Sequence, residues 1–229
     1  MQIGSSAWKE IIQAGAGSLA IDMDRRQIEQ FALYAGELIN WNRKMNLTAI
    51  TDAEGVAVKH FLDSVAPAAL IPLGASLLDI GSGSGFPGIP LKIVRPDLRV
   101  TLIDAVRKKV NFQKHVIRTL GLENIGSHQS RAEAFCAQKP FDVVITRALS
   151  SLTQFAALAL PLLAENGVML AWKGKPAETQ SEVSILLTGE NRGRLRVTLS
   201  TYRLPGIAVE RIIVAVKRGV KESGVQGFK

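Results

Sequence analysis

Cysteine is almost missing from this chain: Cys136 is its single occurrence among 229 residues. That excludes a disulfide framework and a cysteine-rich metal site. Histidine is scarce as well. His60, His115 and His128 stand far apart and form no ligand motif, so no metal is expected. Long apolar runs are lacking too. No stretch reaches the ~18 residues of a transmembrane helix, and the longest candidates, around 65–73 and 155–164, are short and contain proline. The first residues lack the apolar core of a secretion signal, so a cytoplasmic location without membrane attachment is expected. There is no internal repeat and no low-complexity arm. Acidic residues are the minority, 20 against 28 Lys and Arg, for a net charge of +8. Such a balance points to a polyanionic partner, of which nucleic acid is the commonest. The cations cluster at Arg43-Lys44, at Arg107-Lys108-Lys109 with Lys114 and Arg118, at Lys173 with Lys175, at Arg192, Arg194 and Arg196, and at Lys217-Arg218 with Lys221.

What the chain does have is a glycine-rich turn after an apolar run. Leu77-Leu78-Asp79-Ile80 leads into Gly81-Ser82-Gly83-Ser84-Gly85-Phe86-Pro87-Gly88. Glycine permits positive φ and close approach of a ligand to the backbone. The spacing is G-x-G-x-G. A dinucleotide fingerprint would need Gly or Ala at position 86, where Phe86 stands. A bulky Phe and a Pro at the helix start disfavour a pyrophosphate. The shorter motif suits S-adenosylmethionine (SAM), which has adenosine and an amino acid but no phosphate. Val100-Thr101-Leu102-Ile103-Asp104 reads as the next strand. In doubly wound folds an acidic residue at this point accepts from ribose hydroxyls. Asp104 is also placed to cap the helix that begins near Arg107. Asp79, Gly81, Gly83, Gly85 and Asp104 are therefore the candidate cofactor residues.

The rest of the chain fits an α/β fold. Residues 1–70 read as a helical extension and 71–229 as the core of a single domain. Ile28, Phe31, Leu33, Ala35, Leu38, Ile39 and Trp41 give one helix an apolar face, and a second is expected over 54–66. Strands are expected at 76–80, 100–104, 125–128, 141–146, 168–173, 194–203 and 210–217. Helices are expected at 88–95, 107–120, 131–137, 152–164 and 177–188. This alternation implies a mostly parallel seven-stranded sheet covered on both faces, with a terminal antiparallel hairpin near Pro205-Gly206.

Five boxes carry a family resemblance: Trp41-Asn42-Arg43-Lys44-Met45-Asn46-Leu47-Thr48, His60-Phe61-Leu62-Asp63-Ser64, the 79–90 loop ending Gly85-Phe86-Pro87-Gly88-Ile89-Pro90, Ser130-Arg131-Ala132-Glu133, and Thr146-Arg147-Ala148. Together they resemble the bacterial 16S rRNA guanine-N7 methyltransferase G family, also called glucose-inhibited division protein B, over roughly residues 25–217. The resemblance implies a Rossmann-like class I SAM-dependent methyltransferase acting on guanine N7 in the 530 loop of 16S rRNA, within the small ribosomal subunit and as a monomer. It matches Gly81 and Phe86 to loop positions that contact SAM, Ala132 and Glu133 to the pair beside the adenine, and Arg147 to the arginine at the reacting end. A methyltransferase of small molecules and a non-catalytic SAM-binding regulator are the alternatives.

The chemistry fits N7. That atom has a free lone pair and no proton to lose, so orientation matters more than acid–base help. No Asp/Asn-Pro-Pro-aromatic box follows the fourth strand, where Ile145-Thr146-Arg147-Ala148 stands instead, and Cys136 has no Pro before it. Arg147 is the candidate catalytic residue. It has a structural ion pair as its other reading, and Asp63 is a candidate to orient His60. For RNA, Arg43, Lys44 and Lys173 rank above Arg107–Lys109, which start the helix nearer the adenosine end.

Overall fold

The computed structural model describes residues 1–147, 151–174, 176–188, 191–207 and 210–219. Ala148, Ser150, Lys175, Lys221 and the rest of the C-terminal tail lie outside the described residues. Seven strands form one sheet in the order β3-β2-β1-β4-β5-β7-β6. They are β1 (Ser76–Ile80), β2 (Arg99–Asp104), β3 (Ile125–Gln129), β4 (Phe141–Thr146), β5 (Leu163–Lys173), β6 (Leu195–Tyr202) and β7 (Arg211–Arg218). β1 to β5 are parallel, and β7 runs antiparallel to both β5 and β6. β1 lies between β2 and β4, so the strand order reverses there. In open α/β sheets that reversal, at the carboxyl ends, is where ligands bind.

Alternation along the strands fills two cores. Leu77, Val100, Leu102, Val143, Ile145 and Leu170 face one cluster. Leu78, Ile80, Ile103, Val144 and Met169 face the other. Both faces are buried, as parallel sheets require. The first face is covered by α1 (Ser6–Ser18), α2 (Arg25–Met45), a helical run over 53–65, α5 (Gly88–Val94) and α6 (Arg107–Thr119). The run over 53–65 consists of α3 (Ala53–Gly55), a π-helical stretch Val56–Leu62 and α4 (Asp63–Val65). π turns inside helices often mark functional sites. The second face is covered by α7 (Leu152–Ala159) and α8 (Pro176–Leu186).

α2 is set by its sequence. Asp24 and Gln27 form a reciprocal capping box, and Ile28, Phe31, Tyr34, Ala35 and Leu38 are its buried stripe. Phe61 packs against Trp8, Phe31 and Tyr34 at centroid distances of 5.9, 4.7 and 5.2 Å, which ties α1 and α2 to the π-helical stretch.

Two expected helices are corrected. The one over 131–137 is a single 3-10 turn, Ala132–Ala134. Phe135, the large apolar residue there, turns toward His128 and Phe141 rather than continuing a helical face. The one over 152–164 ends at Ala159. A 3-10 turn Leu160–Leu162 containing Pro161 follows, and Leu163 already pairs with Phe141, so β5 starts earlier than expected.

Candidate active site

The glycine turn sits at the carboxyl end of β1. Gly81 and Ser82 both donate their N–H to Ile103 O, at 2.9 and 3.1 Å, which straps the turn to β2. Gly81, Gly83 and Gly85 adopt φ of +69°, +59° and +94°, the left-handed region that favours glycine. A Cβ at Gly85 would lie 2.5 Å from Ile89 Cδ1 and 2.7 Å from the Tyr34 hydroxyl. Beneath the turn, Gln113 donates to Gly83 O at 2.7 Å and Ser82 Oγ at 2.9 Å, and accepts from Ser127 Oγ.

Two carboxylates flank this turn. Asp104 Oδ2 accepts from Gly83 N at 2.9 Å, and Oδ1 accepts from Val106 N at 2.8 Å. The N-cap of α6 is Val106, so Asp104 closes a two-residue turn instead of capping the helix. Asp79 is fully buried. Its Oδ2 accepts from Gly88 N at 2.9 Å, a contact that requires glycine, since a Cβ there would sit 2.9 Å from the same oxygen. Its Oδ1 has no hydrogen-bond partner. Burial pushes the Asp79 carboxyl up to about 7, against the lowering effects of Gly88 N–H and Arg147. An orphaned buried acceptor ordinarily costs about 1–3 kcal/mol. That cost, beside a glycine turn with Asp104 across it, fits a cofactor that carries an ammonium and ribose hydroxyls.

The N-terminal helices grip the turn from outside. The Tyr34 hydroxyl donates to Ser84 O, and Ser84 Oγ donates to Leu47 O at 3.0 Å. Asn42 Oδ1 accepts from Leu47 N and Thr48 N at 2.6 and 2.9 Å, which folds the Asn-Leu-Thr box into a compact turn. The Phe86 ring lies in the core, stacked on Tyr34 at 5.0 Å and on His60 at 4.7 Å. What Phe86 offers toward the turn is backbone.

Arg147 follows β4. It donates to His60 O at 3.3 Å, Ser64 Oγ at 3.1 Å and His60 Nδ1 at 3.3 Å, and its Cζ lies 5.9 Å from the Phe86 centroid. Asp63 Oδ2 is 3.5 Å away. Because guanidinium only donates, His60 Nδ1 is the acceptor. Nε2 then carries the proton and donates to Thr48 Oγ1 at 2.8 Å. The expected pairing of Asp63 with His60 is therefore corrected. Asp63 accepts instead from the Tyr202 hydroxyl at 2.6 Å and from Arg211 Nε and Nη2 at 3.1 and 2.9 Å. These groups converge because β6 ends and β7 begins at the same edge where β4 ends. A cavity of about 310 Å³ opens beside them, lined by Ile50, Lys59, Asp63, Arg147, Leu204, Ile207 and Arg211.

Burial and the nearby Arg147 charge lower the His60 imidazole to about 4. An unfolded histidine titrates near ~6.5. Between those values the unfolded chain binds the additional proton, so stability falls as pH drops through about 6.5 toward 4. Asp79, raised in the folded state, acts in the opposite direction over ~4 to 7. The difference between wild type and His60→Gln isolates the histidine. Urea midpoints should show wild type losing about 2–3 kcal/mol relative to that variant between pH 7 and 4.5. Parallel curves would mean that His60 is not buried neutral.

The remaining candidates divide. Ala132 is half-buried against the second core and Glu133 is exposed. Arg43 and Lys44 are exposed in the last turn of α2. Lys173 does end β5 at the carboxyl edge, but Nζ contacts Glu182 at 2.7 and 2.9 Å and the side chain is 13% exposed. A phosphate contact by Lys173 would have to compete with the Glu182 carboxylate. Tyr34, Ser84, Thr48, Tyr202 and Arg211 were not singled out from sequence. The Asn-Leu-Thr and His-Phe-Leu-Asp-Ser boxes were the signals that led closest to them.

The crystal structure of P. horikoshii TYW2 in complex with MeSAdo superposes with a TM-score of 0.56, at 11% identity over 71% of this chain and 63% of that one. A ribosomal protein L11 methylase from Lactobacillus delbrueckii subsp. bulgaricus gives 0.55, at 16% identity over 70% and 79%. With the strand order and the glycine turn, these define a class I SAM-dependent methyltransferase fold. Sequence narrows the assignment. The family model for rRNA small subunit methyltransferase G matches residues 27–186. Ribosomal RNA small subunit methyltransferase G of Geobacter sp. (strain M21) is 41% identical over 213 residues, 92% of this chain and 97% of the relative. That of Geobacillus thermodenitrificans (strain NG80-2) is 41% identical over 218 residues, 91% and 90%. The chain belongs to the rRNA small subunit methyltransferase G family.

Proposed function

We propose that this protein methylates N7 of one guanine in the 530 loop of 16S rRNA, working as a cytoplasmic monomer on the small ribosomal subunit. The observation that carries this reading is membership of the family combined with the convergence of the glycine turn and Arg147 at the reversal between β1 and β4. Residues 1–70 and 71–229 act as one domain in this reading, since the helices of the first share a core with the sheet of the second.

Asp104 would accept from the ribose hydroxyls and Asp79 Oδ1 would face the amino-acid end. The backbone of Gly81, Gly83, Gly85 and Phe86 would line the cofactor, with Ala132 and Glu133 beside the adenine. When bound, SAM would supply an electrophilic methyl carbon, which a lone pair attacks in line while the C–S bond breaks and a neutral thioether leaves. Among the described residues around Arg147, His60 has both ring nitrogens engaged and Asp79 is buried away from solvent, so neither is a free base. Guanine N7 needs none. The 310 Å³ cavity beside Arg147 is at the small end of the ~300–1,000 Å³ range for ligand sites, and suits one unstacked nucleotide.

The test is transfer of tritiated methyl to small-subunit rRNA, followed by mapping of N7-methylguanosine by reductive strand cleavage. Label on that one guanine is expected. Label on another atom or nucleotide, or on metabolites alone, would overturn the reading. The cofactor half has its own check. Asp104→Ala should raise the SAM dissociation constant about 10- to 150-fold, the equivalent of ~1.5–3 kcal/mol for a charge-assisted acceptor. Wild-type affinity by calorimetry would remove Asp104 from the site.

A further inference from the structure

Arg43-Lys44 and Arg107-Lys108 are far apart in sequence, but the fold brings them to one place. α2 and α6 pack antiparallel. Gln30 donates to Leu120 O at 2.9 Å, Glu37 meets His115 at 2.6 Å, and the Trp41 ring lies 5.0 Å from His115 and 5.5 Å from Phe112. On α2 these contacts use positions 30, 37 and 41, a stripe at helical spacing whose next member is Lys44. On α6 they use 115 and 112, and the next member toward its start is Lys108. Carried one step further, the same helical spacing puts Lys44 and Lys108 at the matching end of the seam, next in sequence to Arg43 and Arg107.

All four side chains are exposed. Among the described residues, no carboxylate forms an ion pair with any of them. Arg107 and Lys108 also occupy the first turn of α6, which contains no acidic residue and whose N-cap, Val106, makes no side-chain cap. Cations there oppose the helix dipole. Like charges at one end of a seam add further repulsion. Asp104 Oδ1 accepts from Val106 N at the start of α6 but forms no ion pair with Arg107 or Lys108, so the four cations remain available to an external anion.

We propose that this end of the α2–α6 seam docks the phosphodiester backbone of the RNA substrate; the proposal rests on the rRNA reading above. The surface lies at the carboxyl end of β2, on the side of β1 away from β4 and Arg147. Two strand spacings separate β2 from β4, about 10 Å. It therefore holds nucleotides flanking the acceptor rather than the acceptor itself.

The test uses the full chain with Arg43, Lys44, Arg107 and Lys108 all changed to glutamine, a helix-compatible neutral residue. Two probes are needed: a small-subunit rRNA fragment containing the methyl acceptor, and an unrelated RNA of equal length. The variant should bind both at least tenfold more weakly, because phosphate contacts carry no sequence information. Its slope of log affinity against log salt should flatten by about 3, at ~0.7–0.9 per lost phosphate contact. SAM affinity should stay within twofold, and a higher RNA concentration should restore methyl transfer, a KM effect without loss of kcat. A wild-type salt slope in a variant whose parent binds the fragment would overturn the docking surface alone. Loss of binding to anionic phospholipid vesicles with RNA binding intact would assign the surface to a membrane and overturn it too. A wild-type protein that neither binds nor methylates rRNA would remove the rRNA reading and this proposal with it.

Discussion

Replacing Asp63 by alanine is expected to lower the unfolding free energy by about 3–5 kcal/mol, the range for removing one partner of a buried ion pair. The Asp63 residue is 1% exposed. Its carboxylate accepts from Tyr202 and Arg211 and lies 3.5 Å from Arg147. Its own backbone carbonyl accepts from Trp172 Nε1 at 2.7 Å, which ties it to β5. Without the carboxylate, two guanidinium groups are left near each other with no counter-charge. Their side chains are 20% and 31% exposed, so water reaches them in part and the effect belongs in the lower half of that range. Tyr202→Phe should lose only about 1 kcal/mol, one hydrogen bond. Urea unfolding reads both: the midpoint should fall in each variant with the slope unchanged. An Asp63→Ala midpoint close to that of Tyr202→Phe would mean that the two arginines are solvated in the folded state.

This cluster shows where sequence reading stops. The strands were readable because each is a short apolar run with turn residues around it, and six of the seven expected starts fall within one residue of the observed ones. β5 is the exception. Its first residues Leu163–Gly167 carry polar Glu165 and Asn166, which look like a turn after a helix, yet Leu163 pairs with Phe141 across a register shift. The glycine turn was readable because its chemistry is local: three glycines, with an acid before them and another at the end of the next strand. The partners of Asp63 are not local. They come from the ends of β4, β6 and β7, and no spacing rule links position 63 to 147, 202 and 211. His60 was equally opaque. It stands alone as a histidine, and its meaning comes from Thr48, Phe86 and Arg147, supplied by three other segments. The ion pair of Lys173 was hidden for the same reason, since its partner Glu182 lies on the following helix.

The order of the sheet explains why those distant residues meet. Parallel strands all end at the carboxyl edge, so the residue after each of them lies there: Gly81 after β1, Ala105 after β2, Arg147 after β4. β7 runs the other way, so its first residue, Arg211, arrives at the same edge. A sequence reader who knows the topology can thus expect strand-end residues to gather, but not which of them pair.

Arg147→Ala should reduce kcat/KM for methyl transfer about 100-fold while leaving a folded protein. The guanidinium sits at the reversal point of the sheet, between Phe86 of the glycine turn and the cavity beside Asp63. Its contacts to His60, Ser64 and Asp63 span 3.1–3.5 Å, longer than the ~2.9–3.0 Å typical of N–H···O bonds. Donors held that loosely can turn to a carboxylate or to guanine O6 at little cost, and two charge-assisted bonds of ~1.5–3 kcal/mol each cover the expected loss. A structural role predicts a different pattern. Asp63 retains Arg211 and Tyr202 when Arg147 is removed, so the variant should unfold at a milder denaturant concentration than wild type but well above Asp63→Ala. Arg147→Lys separates the roles further. It returns a positive charge to Asp63 and should recover most of the stability, yet it lacks the planar fork and should recover little activity. Tritiated methyl incorporation and urea midpoints, measured on the same preparations, give both numbers. If Arg147→Ala keeps incorporation within twofold of wild type, or if Arg147→Lys restores activity and stability together, Arg147 serves the ion-pair network and not the transfer.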